Sequence, residues 1–261
     1  MFPIKDNIPT DRFPVVTFTL ILINVVAYLL AVRHGASIWS GPDTQELVKY
    51  GAIPYALTHP GQHCGVAQAV NGTVIACQGQ PGVSGTPTGY IPTWATVFTS
   101  MFMHGSFLHI FGNMLFLWIF GNNVEDAMGP VKYVFFYLLG GIAALALQVA
   151  IDPSSTAPTL GASGAIAAVL GGYILLYPRA RGLTLIFIIL FFTVIELPAL
   201  IVLGLWFVQQ AVFAAVDLTN PTGSGGGVAY FAHIGGFVFG LTTVKLLATK
   251  RRQVPPRYPV Y

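Results

Sequence analysis

The chain contains very little charge. Only 8% of its 261 residues are Asp, Glu, Lys or Arg, against about 25% in soluble domains. Hydrophobic residues make up 54%, and the mean hydropathy is +0.71. This composition excludes an ordinary soluble domain and indicates an integral membrane protein. The sequence also has no basic stripe with interleaved aromatic residues, so we expect no nucleic-acid partner.

Cysteine is nearly absent too, and the two present, Cys64 and Cys77, lie in one long loop. An oxidising compartment would allow a disulfide between them, and two free thiols are the alternative. Two cysteines without nearby paired ligands make a poor zinc site, which His59 and His63 strengthen only slightly. We therefore expect no metal centre.

Six apolar runs approach the length of about 20 residues that crosses a bilayer. They are Val15–Val32, Phe107–Phe120 with its upstream extension, Tyr133–Ile151, Gly161–Tyr177, Leu183–Phe207 and Val228–Leu247. We expect an all-α membrane protein, with a six-helix bundle over residues 15–248. A cleaved signal peptide is the alternative for the first run, but the acidic residues and prolines before it argue against that alternative.

The basic residues predict the orientation of these spans. With the N-terminus in the cytoplasm, ten of the twelve Lys and Arg residues lie inside, and only Arg33 and Lys49 lie outside. Residues 1–14 and the basic tail 249–261 are then cytoplasmic, and residues 33–92 form a long extracytoplasmic loop. We expect short helices or a hairpin in that loop, because structureless loops of such length are uncommon. The lack of an organelle-targeting leader favours a prokaryotic plasma membrane.

Ser163 and His233 are polar residues in otherwise apolar, glycine-rich segments. A histidine inside a membrane helix is costly, and it is a functional candidate by default. Both residues lie a few positions into spans that start at the predicted outer face, so they reach a similar depth. Small residues that would let the two helices approach closely are Gly161, Gly164, Gly236 and Gly240. We interpret the pair as a nucleophile and its base, although the serine alone would more often be a packing residue.

The second span contributes further polar groups. His109 and Asn113 are four residues apart and share a helix face. A buried Asn usually joins helices, but here it could also donate to the oxyanion of a tetrahedral intermediate. His104 is expected at the solvated interface.

Acidic residues offer no clear partner for the histidine. Glu196 is predicted inside the fifth span, as a protonated or backbone-bonded carboxyl rather than a proton relay. No carboxylate has an obvious route to His233. We therefore predict a Ser-His dyad rather than a triad.

Together these residues resemble the rhomboid family of intramembrane serine proteases, over about Val15 to Leu247. The motifs that carry the resemblance are Gly161-Ala162-Ser163-Gly164, Ala232-His233-Ile234-Gly235-Gly236, His109-Ile110-Phe111-Gly112-Asn113 and the acidic turn from Gly121 to Gly129. The resemblance implies an endopeptidase in the lipid bilayer that cleaves membrane-protein substrates in or near a transmembrane helix. It implies no metal or organic cofactor.

The same resemblance implies roles for individual residues. Ser163 would be the nucleophile and His233 the general base, while His109, Asn113 and the Ser163 backbone N–H would match the family's oxyanion donors. The loop before the sixth span would cap the site, and the fifth span would flank the substrate's lateral route. Two positions depart from the family pattern: Ala95 follows Trp94 where Arg is frequent, and Ala167 replaces an aromatic that stacks on the histidine in some members.

Two other functions remain as alternatives. A proteolytically silent relative could bind membrane clients, but the intact polar set argues against it. A channel or transporter could use His233 and Glu196, but the spans show no internal repeat of the kind that many transporters have.

Overall fold

A computed structural model of the protein describes residues 2–34, 37–69, 72–83, 89–188, 191–219 and 228–249. The chain is mainly helical in these ranges, but it also contains two small antiparallel sheets, so the all-α prediction is correct for the bundle only. The predicted cap before the sixth span (220–227) and the tail from residue 250 lie outside the described residues.

The apolar helices of the bundle fall into a longer and a shorter group. Within the described ranges, four are long and apolar enough to cross a membrane: Phe107–Met128, α7 (Pro130–Ile151), α9 (Ala199–Thr219) and α10 (Tyr230–Leu247). Two shorter apolar helices are α1 (Val15–Ala31) and α8 (Ser163–Leu176). Helix α8 is the centre of the bundle, because every residue from Gly164 to Tyr173 is buried.

The second span continues further than its predicted end. It consists of α5 (Phe107–Phe116), a π-helical turn (Leu117–Gly121) and α6 (Asn122–Met128). The prediction of an upstream extension was wrong, because the helix begins at Phe107. The helix extends instead at its other end, downstream through the acidic turn. The acidic turn can be part of the buried helix because the Glu125 carboxylate is paired. It accepts hydrogen bonds of 2.9 and 2.8 Å from the backbone N–H groups of Val16 and Thr17. The buried acid thus satisfies the open start of α1.

The prediction of a fifth span at Leu183–Phe207 was also wrong in its first half. Residues Arg181–Ile188 and Phe191–Pro198 form a hairpin, β4 and β5, and the N-terminal strand β1 (Phe2–Asp6) pairs with β4 in the order β1-β4-β5. An uninterrupted apolar run has no periodicity that separates strand from helix, and this one is rich in β-branched and aromatic residues. The helix starts only after Pro198.

This hairpin also corrects the prediction for Glu196. The residue lies on β5 rather than inside a membrane helix, and 43% of its side chain is exposed. Its carboxylate Oε1 lies 3.3 Å from Nε of Arg181 on the neighbouring strand. Neither a buried carboxyl nor a proton relay fits this exposed pair.

The predicted outer loop contains the short elements expected of it: α2 (Thr44–Tyr50), α3 (Pro54–Thr58), β2 (Cys64–Ala69) and β3 (Gly72–Cys77). A further short helix, α4 (Thr93–Thr99), follows it directly. Cys64 and Cys77 face each other at the open end of the β2–β3 hairpin and form a disulfide. Ala52 and Thr159 exchange two backbone hydrogen bonds, of 3.1 and 2.8 Å. These bonds tie the outer segment to the loop that leads into α8.

The N-terminal strand is anchored to the bundle by Asp6. Its Oδ2 atom accepts hydrogen bonds of 2.6 Å from the hydroxyl of Tyr173 and 2.6 Å from the Nδ2 of Asn123. Burial nevertheless raises the pKa of Asp6 from 3.8 to about 6, because desolvation of the carboxylate outweighs these bonds.

We predict that Asp6 makes the protein less stable as pH rises from 3.8 to about 6. In that window the unfolded chain releases the proton while the folded one holds it, so the folded state loses up to about 3 kcal/mol. Asp6→Asn keeps an acceptor but does not titrate. We therefore expect the difference in melting temperature, Asp6→Asn minus wild type in detergent, to be larger at pH 7 than at pH 4. A difference between the two proteins that is the same at both pH values would contradict this.

Candidate active site

Helices α8 and α10 touch through their backbones. A Cβ atom on Gly236 would collide with the carbonyl oxygen of Gly164, and one on Gly240 would collide with the carbonyl oxygen of Ala168. On the other side of α8, a Cβ on Gly164 would lie 2.6 Å from the Cβ of Ala144 in α7. Glycine at these positions is therefore what lets the three helices pack at this distance.

This packing brings Ser163 and His233 together. Ser163 is the first residue of α8, and His233 lies in the first turn of α10. The Ser163 Oγ lies 2.8 Å from the His233 Nε2, which is hydrogen-bonding distance. Two residues that are 70 positions apart thus form one polar pair inside the bundle.

The other side of the imidazole faces α9. His233 Nδ1 lies 2.7 Å from the Oε1 of Gln210, and the Trp206 ring lies 5.6 Å from the imidazole between centroids. Gln210 and Trp206 therefore position the His233 ring, in place of the aromatic residue that Ala167 replaces. Ala167 is fully buried, and its Cβ lies 3.3 Å from where a Cβ on Gly236 would be.

One protonation pattern of the neutral ring satisfies both contacts. If Nδ1–H donates to the amide oxygen of Gln210, Nε2 carries a lone pair and accepts the hydroxyl proton of Ser163. The ring then directs its free nitrogen at the Ser163 hydroxyl, which is the orientation that a general base for this serine would need.

His109 and Asn113 face the chain just before Ser163. Gly161 has φ of +110°, and a Cβ there would lie 2.7 Å from the Nε2 of His109 and 3.4 Å from the Nδ2 of Asn113. The backbone N–H of Gly161 donates to the carbonyl of Ser100 at 2.9 Å, which holds this turn in place. Both side chains therefore point at the turn that presents the serine.

The donors of these side chains are open. The Nδ2 of Asn113 is buried and has no hydrogen-bond partner among the described residues. The Nδ1 of His109 accepts a long hydrogen bond of 3.4 Å from the N–H of Gly105, which leaves Nε2–H as a donor toward Gly161. The N–H of Ser163, in the first turn of α8, has no partner within its own helix. The two side-chain donors thus lie beside Gly161, two residues before the first N–H of α8.

The environment of His104 differs from its prediction. The side chain is fully buried rather than solvated, and its ring stands edge-on to His109 at 5.0 Å between centroids. His104 therefore packs against His109 and does not face solvent.

A small cavity of about 20 Å³ lies beside Ser163, lined among others by Ser100, Gly161, Ala229 and Ala232. This volume holds about one water molecule. A volume this small does not hold a peptide segment. In the described part of the chain, no group of three or more His, Cys, Asp or Glu side chains could hold a metal ion.

Sequence reasoning missed three residues of this site. Gln210 and Trp206 are four positions apart, so they share the face of α9 that packs on His233. Gln148 of α7 accepts a 3.3 Å hydrogen bond from the N–H of Ala232 at the start of α10. A glutamine in an apolar helix was the available signal, but the adjacent Gln209 made the facing residue ambiguous.

The fold and the site define a class: an integral membrane protein with a Ser-His pair at the ends of two closely packed helices and amide and imidazole donors beside it. The Rhomboid domain family matches residues 92–250, and the chain belongs to the rhomboid family. The resemblance stated from the motifs is thereby confirmed.

Several curated relatives carry the same family name. The chain is 30% identical over 159 residues to "Rhomboid protein 1, mitochondrial" of Saccharomyces cerevisiae. The aligned segment covers 58% of this chain and 41% of that protein. It is 28% identical over 145 residues to "Presenilin-associated rhomboid-like protein A, mitochondrial" of Danio rerio, over 54% of this chain and 34% of the relative. It is 30% identical over 158 residues to "RHOMBOID-like protein 12, mitochondrial" of Arabidopsis thaliana, over 54% and 43%. The chain thus matches less than half the length of these relatives.

We predict that Gly161→Ala disables the site without unfolding the protein. The added Cβ would press on His109, and φ of +110° is strained for alanine, so the turn before Ser163 must shift. Labelling of Ser163 by a fluorophosphonate should slow at least about tenfold, equivalent to ~1.4 kcal/mol. Gly112→Ala is the matched control, because a Cβ there meets nothing within 4 Å. Equal labelling rates in the two variants would contradict this account.

Proposed function

We propose that the protein is an intramembrane serine endopeptidase that cleaves membrane-protein substrates in or near a transmembrane helix. The observation that carries the proposal is the 2.8 Å contact between Ser163 Oγ and His233 Nε2. The Asn113 amide, which has no hydrogen-bond partner in the described part of the chain, lies against the Gly161 turn that precedes Ser163. A packing serine would need neither a base nor open donors around it.

In the proposed acylation step, His233 Nε2 takes the hydroxyl proton as Ser163 Oγ attacks the scissile carbonyl carbon. The carbonyl oxygen becomes an oxyanion, which the Asn113 amide, the His109 Nε2–H and the Ser163 backbone N–H are placed to stabilise. The positive end of α8 adds to this stabilisation, because the oxyanion forms at the helix N-terminus. His233 then gives its proton to the leaving amine, and an acyl-enzyme remains.

Water completes the cycle. It enters beside Ser163, where the cavity holds about one molecule. His233 takes a proton from this water as the water attacks the ester. Collapse of the second oxyanion then releases the acid and returns the proton to Ser163.

The proposal includes the membrane arrangement. Both termini are assigned to the cytoplasm, and Ser163 and His233 lie toward the outer face. The strand pairing of Phe2–Asp6 with β4 and the hydrogen bond from Lys132 Nζ to the carbonyl of Leu247 support placing these segments at one end of the bundle. The prediction of a prokaryotic plasma membrane rests on the N-terminal residues alone, and the relatives' mitochondrial names do not support it.

A proteolytically silent membrane protein that binds clients is the alternative. The small cavity is the observation in its favour, since its volume of about 20 Å³ does not hold a peptide segment. A channel or transporter that uses His233 and Glu196 has lost its support, because Glu196 lies on the exposed hairpin.

We predict that a fluorophosphonate probe labels the purified protein and that the protein cleaves a reconstituted single-span substrate, whereas Ser163→Ala does neither. Ser154→Ala, an exposed serine in the loop before α8, is the matched control and should behave as wild type. Labelling and cleavage that persist in Ser163→Ala would rule out this nucleophile. A well-folded wild type that cleaves no substrate would favour the silent alternative.

We also predict that Asn113→Ala lowers kcat by about 10²–10³ with little change in KM, because the amide acts only on the oxyanion. Steady-state cleavage in detergent measures both constants. A rise in KM at constant kcat would instead place Asn113 in substrate binding.

A further inference from the structure

Helix α9 directs one polar group at the site. Gln210 is 7% exposed, and its Oε1 lies 2.7 Å from His233 Nδ1. Most of the remaining α9 surface is apolar and exposed, as at Leu205, Val208 and Val212. A buried amide on such a helix is costly without a partner, and the partner here is the candidate base.

We propose that Gln210 is a positioning residue that selects the protonation pattern of His233. This inference rests on the proposed function, in which His233 accepts the proton of Ser163. A neutral imidazole has one N–H, and the serine can donate only if that hydrogen is on Nδ1. The amide oxygen of Gln210 stabilises this form and would face a lone pair in the other.

A neutral amide suits this position. A carboxylate beside the imidazole would add a charge to a low-dielectric bundle at a large desolvation cost. Glutamine supplies the same acceptor geometry without that charge. It orients the base but contributes little to stabilising the imidazolium that forms during the reaction.

The arrangement links the base to the packing of α9. Gln210 reaches His233 only while α9 lies against α10, where Phe207 stacks on Phe237 at 4.4 Å between ring centroids. Trp206 lies beside the imidazole and limits its rotation. The hydrogen-bonded chain from Gln210 through His233 to Ser163 therefore depends on three helices, and displacement of α9 would release the ring.

The main test replaces the acceptor by an apolar side chain of similar size. In Gln210→Leu, we expect kcat for a single-span substrate to fall by about 10–100-fold with little change in KM, as for other partners that orient a functional histidine. Gln209→Leu, on the exposed face one residue earlier, should keep the wild-type constants. Equal losses in the two variants would mean that α9 packing alone is disturbed and would overturn the proposal.

Rescue separates orientation from packing. Gln210→Glu restores an acceptor, so kcat should recover relative to Gln210→Leu. The acid limb of its pH–rate profile should move to higher pH, because a carboxylate stabilises the imidazolium. A Gln210→Glu enzyme as slow as Gln210→Leu, with the wild-type pH profile, would overturn the proposal.

A spectroscopic measurement tests the same inference without catalysis. In detergent-solubilised protein labelled with ¹⁵N-histidine, with the His233 signals assigned by His233→Ala, the wild type should show the form protonated at Nδ1. Gln210→Leu should show a mixture of the two forms. An unchanged Nδ1-protonated form in Gln210→Leu would overturn the positioning role. A wild type with the expected form but no Ser163-dependent labelling would overturn the proposed function instead.

Discussion

The backbone contact between α8 and α10 sets the geometry of the whole site. Gly236 and Gly240 lie against the carbonyl oxygens of Gly164 and Ala168, where no side chain fits. In lipid, helices gain little from hydrophobic association, so packing at this distance must come from surface fit and weak polar contacts. The distance between Ser163 and His233 is a consequence of that fit, because each lies within one turn of a glycine contact.

The surrounding polar groups follow from the cost of leaving them unpaired in an apolar interior. The two ring nitrogens of His233 are satisfied by Gln210 and Ser163. His109 has the opposite protonation pattern, because its Nδ1 accepts from the N–H of Gly105 and its Nε2–H points toward Gly161. The Nδ2 of Asn113 stays buried without a hydrogen-bond partner among the described residues. Such an arrangement is already oriented before a charge develops, which is the condition for effective electrostatic stabilisation.

The errors in predicting the spans have one cause. Residues 183–198 and 107–128 both contain apolar runs in which length and hydropathy decide the interpretation. The first run became a hairpin because β1 supplies a strand partner more than 170 positions away in sequence. The helix over the second run extends past the last apolar residue because the Glu125 carboxylate accepts hydrogen bonds from N–H groups at the start of α1. Neither partner can be recognised from the run itself.

The sequence by itself determined the membrane class, the small-residue contacts and the residue types at the candidate site. These properties are local: a glycine, a serine or a histidine in an apolar segment is informative wherever the segment packs. Only the tertiary structure decided that Gln210 rather than Gln209 faces His233, and that Glu196 does not. The direction of a side chain depends on helix register and on the neighbouring element, and a helix turns by 100° per residue. One position along α9 therefore separates the partner of the candidate base from a residue on the exposed surface.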